Sequence, residues 1–132
     1  MTNFITKDSW AREEYPSGMR RDTQKGKRMY TLIPTDGLDR LSELMWRWAV
    51  KYGRNNWELA DSPEELQRFK DSAFRHFMSW IKEEYDEDHA SATVFNIFAY
   101  EHIKKKINAR ETKRKFEQRA QMILFGDDDL LP

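Results

Sequence analysis

The hydrophobic positions of this chain recur at the spacing of an α-helix from about residue 35 onward. Leu38, Leu41, Met45, Trp48 and Tyr52 follow each other at intervals of three or four residues, which places them on one face of a helix. Gly53 supplies a stop directly after this stripe. The pattern predicts an amphipathic helix that ends near Tyr52.

A second helix is predicted from Ser62, which suits the N-cap and is followed by Pro63 at the first helical position. Phe74 and Met78 lie on a different side of this helix from its main apolar face, so we expect neighbouring elements to cover it on more than one side. The main apolar face consists of Phe69, Ala73, Phe77, Trp80 and Ile81.

A third helix is predicted after the acidic elbow of residues 86–88, whose carboxylates can cap its N-terminus. His89, Thr93, Asn96 and Tyr100 form a single polar stripe on this otherwise apolar helix. A buried polar stripe needs partners. One interpretation is a hydrogen-bond network that fixes the helix register, and the other is a cleft whose lining residues are Asp71, Arg75, His76, Asp88, His89 and Asn96.

The remaining segments show different patterns. Residues 1–31 contain turn-forming glycine and proline and have little periodicity, so we expect an extended arm or loop. Residues 108–125 predict a basic helix, and residues 126–132 a flexible acidic tail. No useful strand-like alternation is present. The predicted class is therefore all-α, a compact bundle of about four to five helices in a single domain over residues 1–125, with its core in residues 32–107.

Composition narrows the classes of function. The 132 residues carry no net charge and no cysteine, which removes disulfides, cysteine zinc sites and a thiol nucleophile. Cysteine absence is compatible with a cytoplasmic protein, and no apolar run reaches the roughly 20 residues that span a membrane. The basic helix lacks interleaved aromatic residues, so nucleic-acid binding is the minority interpretation.

Several positions outside the cleft suit phosphate, base or cation binding. Gly26 beside Lys27 and Arg28 leaves cations and backbone amides accessible to a polyphosphate, although a solvated basic loop is the simpler interpretation. The loop of residues 51–58 could grip a base or a phosphate, or merely turn the chain. Glu43 could pair with Arg47 one helical turn away, or it could bind a hard divalent cation.

Four segments of the chain together resemble a known family. They are residues 18–34, 38–58, 69–81 and 86–96, and they carry the motifs KYG-x-x-NW, D-x-x-x-RH and DEDH in that order. From Gly18 to about Glu101 the chain resembles the dATP/dGTP diphosphohydrolase N-terminal-like family of phages and bacteria, which is similar to the MazG-like all-α pyrophosphohydrolases. The resemblance implies a metal-dependent enzyme that splits a purine deoxynucleoside triphosphate into monophosphate and diphosphate.

The resemblance also implies roles for individual residues. It implies that Asp88 and His89 are catalytic, and that Mg²⁺, with Mn²⁺ or Co²⁺ as alternatives, is bound by the carboxylates Glu43, Asp71, Asp86 and Asp88. Expected substrate contacts are Lys27, Arg28, Lys51 and Arg75 for the phosphates, Asn56, Trp57 and Asn96 for the base or sugar, and His76 in a role that the residues leave open. A homo-oligomer, at least a dimer, is implied as well, with the region of Trp46 and Trp48 as its expected interface.

Two other classes of function stay open at this point. The chain departs from the usual MazG carboxylate spacing, since Glu43 is followed by Trp46 and Arg47. A non-catalytic helical protein that sequesters a nucleotide or inhibits a host protein would tolerate this departure. A His-Asp phosphohydrolase would use His76, Asp88 and His89, but the order Asp88-His89 is the reverse of that motif.

Overall fold

The computed structural model describes residues 3–126, which divide into two units at the boundary between Ile33 and Pro34. Each unit is described by itself below. Of the predicted acidic tail, only Gly126 lies among the described residues.

The first unit contains a short antiparallel hairpin. Strand β1 spans Arg12–Glu14 and strand β2 spans Arg20–Asp22. Gly18, at a φ of 86°, allows the turn between them, because this left-handed region favours glycine. Opposite charges face each other across the strands, with Arg12 2.8 Å from Asp22. The arm expected for residues 1–31 thus contains a hairpin that the sequence did not predict, because strands of three residues are too short to give a recognisable alternation.

The second unit is built from three α-helices, and the all-α class is confirmed. Helix α1 spans Thr35–Tyr52, α2 spans Pro63–Ile81 and α3 spans His89–Phe125, with a 3-10 turn at Asn56–Leu59 between α1 and α2. The expected separate basic helix is the second half of α3. The predicted break near residue 107 is absent because no glycine or proline interrupts residues 89–125.

The helix ends follow the local sequence signals closely. Ser62 caps α2 as predicted, since its Oγ accepts a hydrogen bond from the Glu65 backbone N–H at 3.2 Å. The Ser62 hydroxyl also donates to the Glu65 carboxylate at 2.7 Å, and the Asp61 backbone N–H donates to the same carboxylate at 3.3 Å. Gly53 ends α1 with a φ of 93°. Helix α1 begins at Thr35, with Pro34 at the N-cap.

The core of the second unit lies along the first half of α3, which packs against both α1 and α2. Alanine at positions 92 and 99 allows the neighbouring helices to approach closely, and Ile103 is fully buried. The Trp48 ring of α1 meets the Phe95 ring edge to face, with 4.7 Å between the ring centroids. The buried apolar residues are Leu44, Ala60, Ala92, Phe95, Ala99 and Ile103.

Much of the predicted apolar surface of α2 is exposed within this chain. Phe74 is 67% exposed and Trp80 is 54% exposed, so the expected covering of this helix on several sides is not provided by the described residues. None of the described helices combines the length and the apolar content needed to cross a membrane.

Candidate functional site

Two histidine rings meet where α2 and α3 come together. His76 lies in the last two turns of α2 and His89 is the first residue of α3. Their Nδ1 atoms are 2.9 Å apart, a hydrogen-bonding distance. His89 is only 6% exposed and His76 is half-buried. The junction therefore places two imidazoles in direct contact and partly shields them from water.

Asp86 continues this contact on the other side of His89. Its Oδ1 atom is 2.8 Å from His89 Nε2, and this hydrogen bond is the main reason that the pKa of Asp86 lies below its ordinary value. An ionised carboxylate only accepts hydrogen bonds, so His89 carries a proton on Nε2. In neutral His89 the Nδ1 lone pair then faces His76, and His76 Nδ1–H donates to it. Asp86, His89 and His76 thus form a continuous hydrogen-bonded chain.

The pKa of His76 is also shifted. Burial lowers the pKa of this imidazole below its ordinary value of 6.5, and the positive charge on Arg75 and repulsion from His89 act in the same direction. The carboxylates of Glu87 and Asp86 oppose the shift without reversing it. The neutral form of His76 is therefore favoured near neutral pH.

Asp88 fixes the start of α3 and ties it to α1. Its carboxylate caps the helix by accepting from the Ser91 backbone N–H at 3.1 Å and from the Ser91 hydroxyl at 2.8 Å. Arg40 donates to both carboxylate oxygens, at 2.7 and 3.1 Å. Burial alone would raise the pKa of Asp88, but the bonds from Arg40 and Ser91 outweigh it and lower the pKa. Asp88 is thus an ionised carboxylate that links the start of α3 to α1.

Two groups of side chains at this junction have the spacing of a metal site. One ligand atom from each of His76, Glu87 and His89 lies within 4.8 Å of the other two, and Glu84, Asp86 and His89 form a second such group. Both groups contain His89. Of the four carboxylates expected as metal ligands, Asp86 belongs to the second group, and Glu43, Asp71 and Asp88 belong to neither.

The carboxylates outside these groups have other surroundings. Glu43 is exposed on α1. Asp71 is exposed on α2 and accepts a hydrogen bond from the Gln67 amide at 2.8 Å. The structure therefore brings together the elbow and the two histidines, but it does not add the α1 carboxylate or Asp71 to them.

The expected phosphate and sugar contacts of the second unit are spread over its helices. Arg75 is exposed, and its guanidinium contacts the Ser72 hydroxyl at 3.4 Å. The Lys51 ammonium lies 4.9 Å from the centre of the Tyr52 ring. Asn96 is buried, and its amide N–H₂ donates to the Ala92 carbonyl of the same helix at 2.7 Å. The polar stripe of α3 is thus partly an internal hydrogen-bond network.

The loop after α1 presents one exposed and one half-buried candidate. Asn56 is exposed at the start of the 3-10 turn. The Trp57 ring lies edge to face against Phe95, with centroids 5.7 Å apart, and 5.3 Å from the His102 ring. Lys106 donates to the Glu58 carbonyl at 2.8 Å and anchors this turn to α3.

The basic residues of the first unit line a groove of their own. Lys27 and Arg28 are exposed and border this groove together with Arg20, Arg21 and Tyr30. Arg20 pairs with Glu14 at 3.4 Å. The groove therefore has the positive charge and the aromatic edge that suit a phosphorylated ligand.

Glu87 and Arg40 contribute to the junction but were not among the predicted site residues. Glu87 lies in the acidic elbow, two residues before His89 in the sequence. This position is a signal that could have identified it as a candidate ligand. Arg40 carried no local signal, because its partner Asp88 lies 48 residues further along the chain.

Comparison with known families gives a match to the model described as dATP/dGTP diphosphohydrolase, N-terminal, over residues 17–113. The matched segment includes all residues of the junction and well over half of the 132-residue chain. Neither the curated proteins nor the solved structures contain a significant match.

Proposed function

The chain belongs to the dATP/dGTP diphosphohydrolase N-terminal family, and from this premise we propose that it hydrolyses a purine deoxynucleoside triphosphate such as dATP or dGTP. Water hydrolyses the anhydride bond between the α- and β-phosphates. The two products are the deoxynucleoside monophosphate and inorganic diphosphate. The observation that carries this proposal is the cluster of His76, His89, Asp86 and Glu87 inside the matched segment.

The reaction as proposed requires a divalent metal ion. The group of His76, Glu87 and His89 offers two imidazole nitrogens and a carboxylate oxygen, a donor set that suits a divalent cation. When bound, such an ion neutralises phosphate charge and lowers the pKa of a bound water. Mg²⁺ is the ion that the resemblance implies, and it would also reach the site as the companion of the triphosphate.

The other side chains of the junction position this group. Asp86 holds His89 in one tautomer and one orientation through the bond to Nε2. The pair of Arg40 and Asp88 fixes the elbow on which Glu87 and Asp86 lie. In this proposal Asp88 supports the site rather than reacting, while His89 remains a residue of the reaction centre.

Phosphate and base binding are assigned to the exposed polar residues. Arg75 directly precedes His76 and is the natural donor to the triphosphate, with Lys51 as a further cation. Lys27 and Arg28 border the groove of the first unit, which by itself suits a phosphorylated ligand. Asn56 and Trp57 would contact the purine base.

The test of this activity is product analysis with the eight common ribo- and deoxyribonucleoside triphosphates, each with Mg²⁺, Mn²⁺ or Co²⁺. We expect monophosphate and diphosphate in equal amounts, fastest from a purine deoxynucleotide and only with a divalent ion. Triphosphate or orthophosphate as the product would indicate a different phosphohydrolase, and no product with any nucleotide and ion would refute the activity.

One observation favours the alternative of a nucleotide-sequestering protein. Both oxygens of Asp88 are engaged by Arg40 and Ser91, and Glu43 and Asp71 are outside the metal-capable groups, so the carboxylate set of the related enzymes is not assembled. Absence of product together with a thermal shift on adding nucleotide would support this alternative. A host protein would then be the partner to test next.

We also propose that the active form is a homo-oligomer, at least a dimer. Trp46 is 63% exposed and Val50 is 72% exposed on α1, and exposed aromatic residues on α2 add to this apolar surface. Trp48, the other tryptophan expected at the interface, instead packs on Phe95 within the chain. Light scattering should give at least twice the monomer mass, and Trp46→Ser should reduce it, whereas a monomeric wild type would refute this proposal.

A further inference from the structure

We infer that the junction of α2 and α3 is a transition-metal site, in which His76 Nδ1, His89 Nδ1 and the Glu87 carboxylate bind an ion such as Co²⁺ or Zn²⁺ in preference to Mg²⁺. The inference deepens the proposed function and rests on it for the role of the ion. Binding of the ion itself depends only on the side chains of the junction.

The spacing of the two imidazoles is the first argument. Metal–nitrogen bonds of about 2.0–2.1 Å place two nitrogen ligands of one ion roughly 3.0–3.4 Å apart. The two Nδ1 atoms are 2.9 Å apart, so a small separation of the rings accommodates an ion in place of the shared proton. The two nitrogens therefore already lie close to the spacing that one ion requires.

The bond from Asp86 is the second argument. Histidines that bind metals commonly donate their other ring N–H to a carboxylate, which fixes the tautomer and the ring orientation. His89 has this arrangement, since Nε2 is 2.8 Å from Asp86 Oδ1 and Nδ1 is directed at His76. Asp86 is therefore an outer partner of the site rather than a metal ligand.

Glu87 completes the donor set. Its carboxylate offers an oxygen within 4.8 Å of the ligand nitrogens of His76 and His89. The second group, of Glu84, Asp86 and His89, has a single imidazole and two exposed carboxylates, one of which is already bonded to His89. The first group thus offers two imidazole nitrogens where the second offers one.

The chemistry of these donors selects the ion. Imidazole nitrogens suit Zn²⁺ and other late first-row ions, whereas Mg²⁺ prefers oxygen ligands and retains its water. Two of the three donors here are nitrogens, and one of the rings is 94% removed from solvent, since His89 is 6% exposed. The junction is consequently expected to discriminate against Mg²⁺.

Calorimetric titration of the untagged, chelator-stripped full-length chain tests this inference. Co²⁺ and Zn²⁺ should bind one ion per chain, on the order of 100-fold more tightly than Mg²⁺. Bound Co²⁺ should also give a visible absorption band that reports its ligands. Equal or tighter binding of Mg²⁺ would overturn the inference.

Substitutions of single residues test which side chains bind the ion. His76→Gln and Glu87→Gln should each weaken Co²⁺ binding and change its absorption band, and Asp86→Asn should weaken it by about 10–100-fold. His102→Gln removes the one histidine outside the pair and Glu84→Gln removes an acid of the second group, so both should bind Co²⁺ as the wild type does. Unchanged binding by His76→Gln, or a loss in Glu84→Gln that Glu87→Gln lacks, would refute the assignment.

The inference and the proposed function can fail separately. Tight Co²⁺ binding that depends on His76, together with no hydrolysis of any nucleotide, would sustain the metal site and refute the enzyme. Diphosphate release with Mg²⁺ in a protein that binds no Co²⁺ would do the opposite.

Discussion

The two halves of α3 belong to one continuous helix but differ in almost every physical respect. The half from His89 to Ile103 contains all seven buried residues of the helix. The half from Lys104 to Phe125 contains none, and Phe116 and Ile123 are 74% and 83% exposed. The first half packs against α1 and α2 and carries the site, whereas the second half is mainly a charged surface.

The difference shows which charges and polar groups acquire a specific role. At the start of the first half, the N-cap Asp88 and His89 make contacts with α1 and α2 that span many residues of sequence. In the second half, the ion pairs of Lys113 and Arg114 join neighbours three or four residues away, and the long-range contacts of Lys106 and Arg110 are exposed. Local pairs in water contribute little, so function concentrates where burial and long-range contacts coincide.

The largest expected effect on stability comes from the buried half. Ile103→Ala removes a fully buried side chain and should lower the free energy of unfolding by about 2–5 kcal/mol, because it leaves a cavity among packed helices. Ile123→Ala, at 83% exposure, should change it by less than about 0.5 kcal/mol. Urea denaturation followed by circular dichroism measures both, and equal effects would show that the two halves do not differ as described.

A smaller loss is expected from the cap of α3. Asp88→Ala removes the N-cap and both bonds to Arg40, so it should cost about 1–2 kcal/mol of unfolding free energy. The matched control is Asp61→Ala, whose pair with Arg110 spans 49 residues but is exposed and 3.5 Å long. It should cost less than about 0.5 kcal/mol. A larger loss of unfolding free energy in Asp61→Ala than in Asp88→Ala would contradict the structural role assigned to Asp88.

The smallest effect is expected in the charged half. Lys113 and Glu117 are 4.0 Å apart and largely exposed, so Lys113→Ala should change the unfolding free energy by less than about 0.5 kcal/mol. The same variant should leave nucleotide hydrolysis unchanged. A clear loss of activity in Lys113→Ala would mean that the basic half takes part in binding, and the contrast between the halves would need revision.

Local patterns were sufficient to predict most of the second unit. Helical periodicity, the N-cap at Ser62 and the stop at Gly53 depend on neighbours a few residues apart, and the structure confirms them. The continuity of α3 was missed because a change from apolar to basic composition resembles a boundary, although no helix breaker lies there. The hairpin of the first unit was missed because its strands have only three residues each.

The candidate site was less predictable, and the reason is physical. His89 was identified from the polar stripe, and His76 and Asp86 from the motifs that carry the family resemblance, but their contacts depend on how α2 packs against α3. Arg40 could not be found because its bond to Asp88 crosses 48 residues. Glu43 and Asp71 were expected as metal ligands, but they belong to neither metal-capable group of the described residues.

The central claim is that hydrolysis takes place at the paired histidines, and one kinetic comparison tests it most directly. Diphosphate release from the preferred purine deoxynucleotide is measured for the wild type, His76→Gln and His102→Gln with a saturating divalent ion. We expect kcat to fall on the order of 100-fold or more in His76→Gln. Loss of a side chain at the reacting centre lowers the rate more than loss of a residue that only orients such a side chain. His102→Gln should retain the wild-type kcat. Equal kcat values for His76→Gln and the wild type would contradict the account.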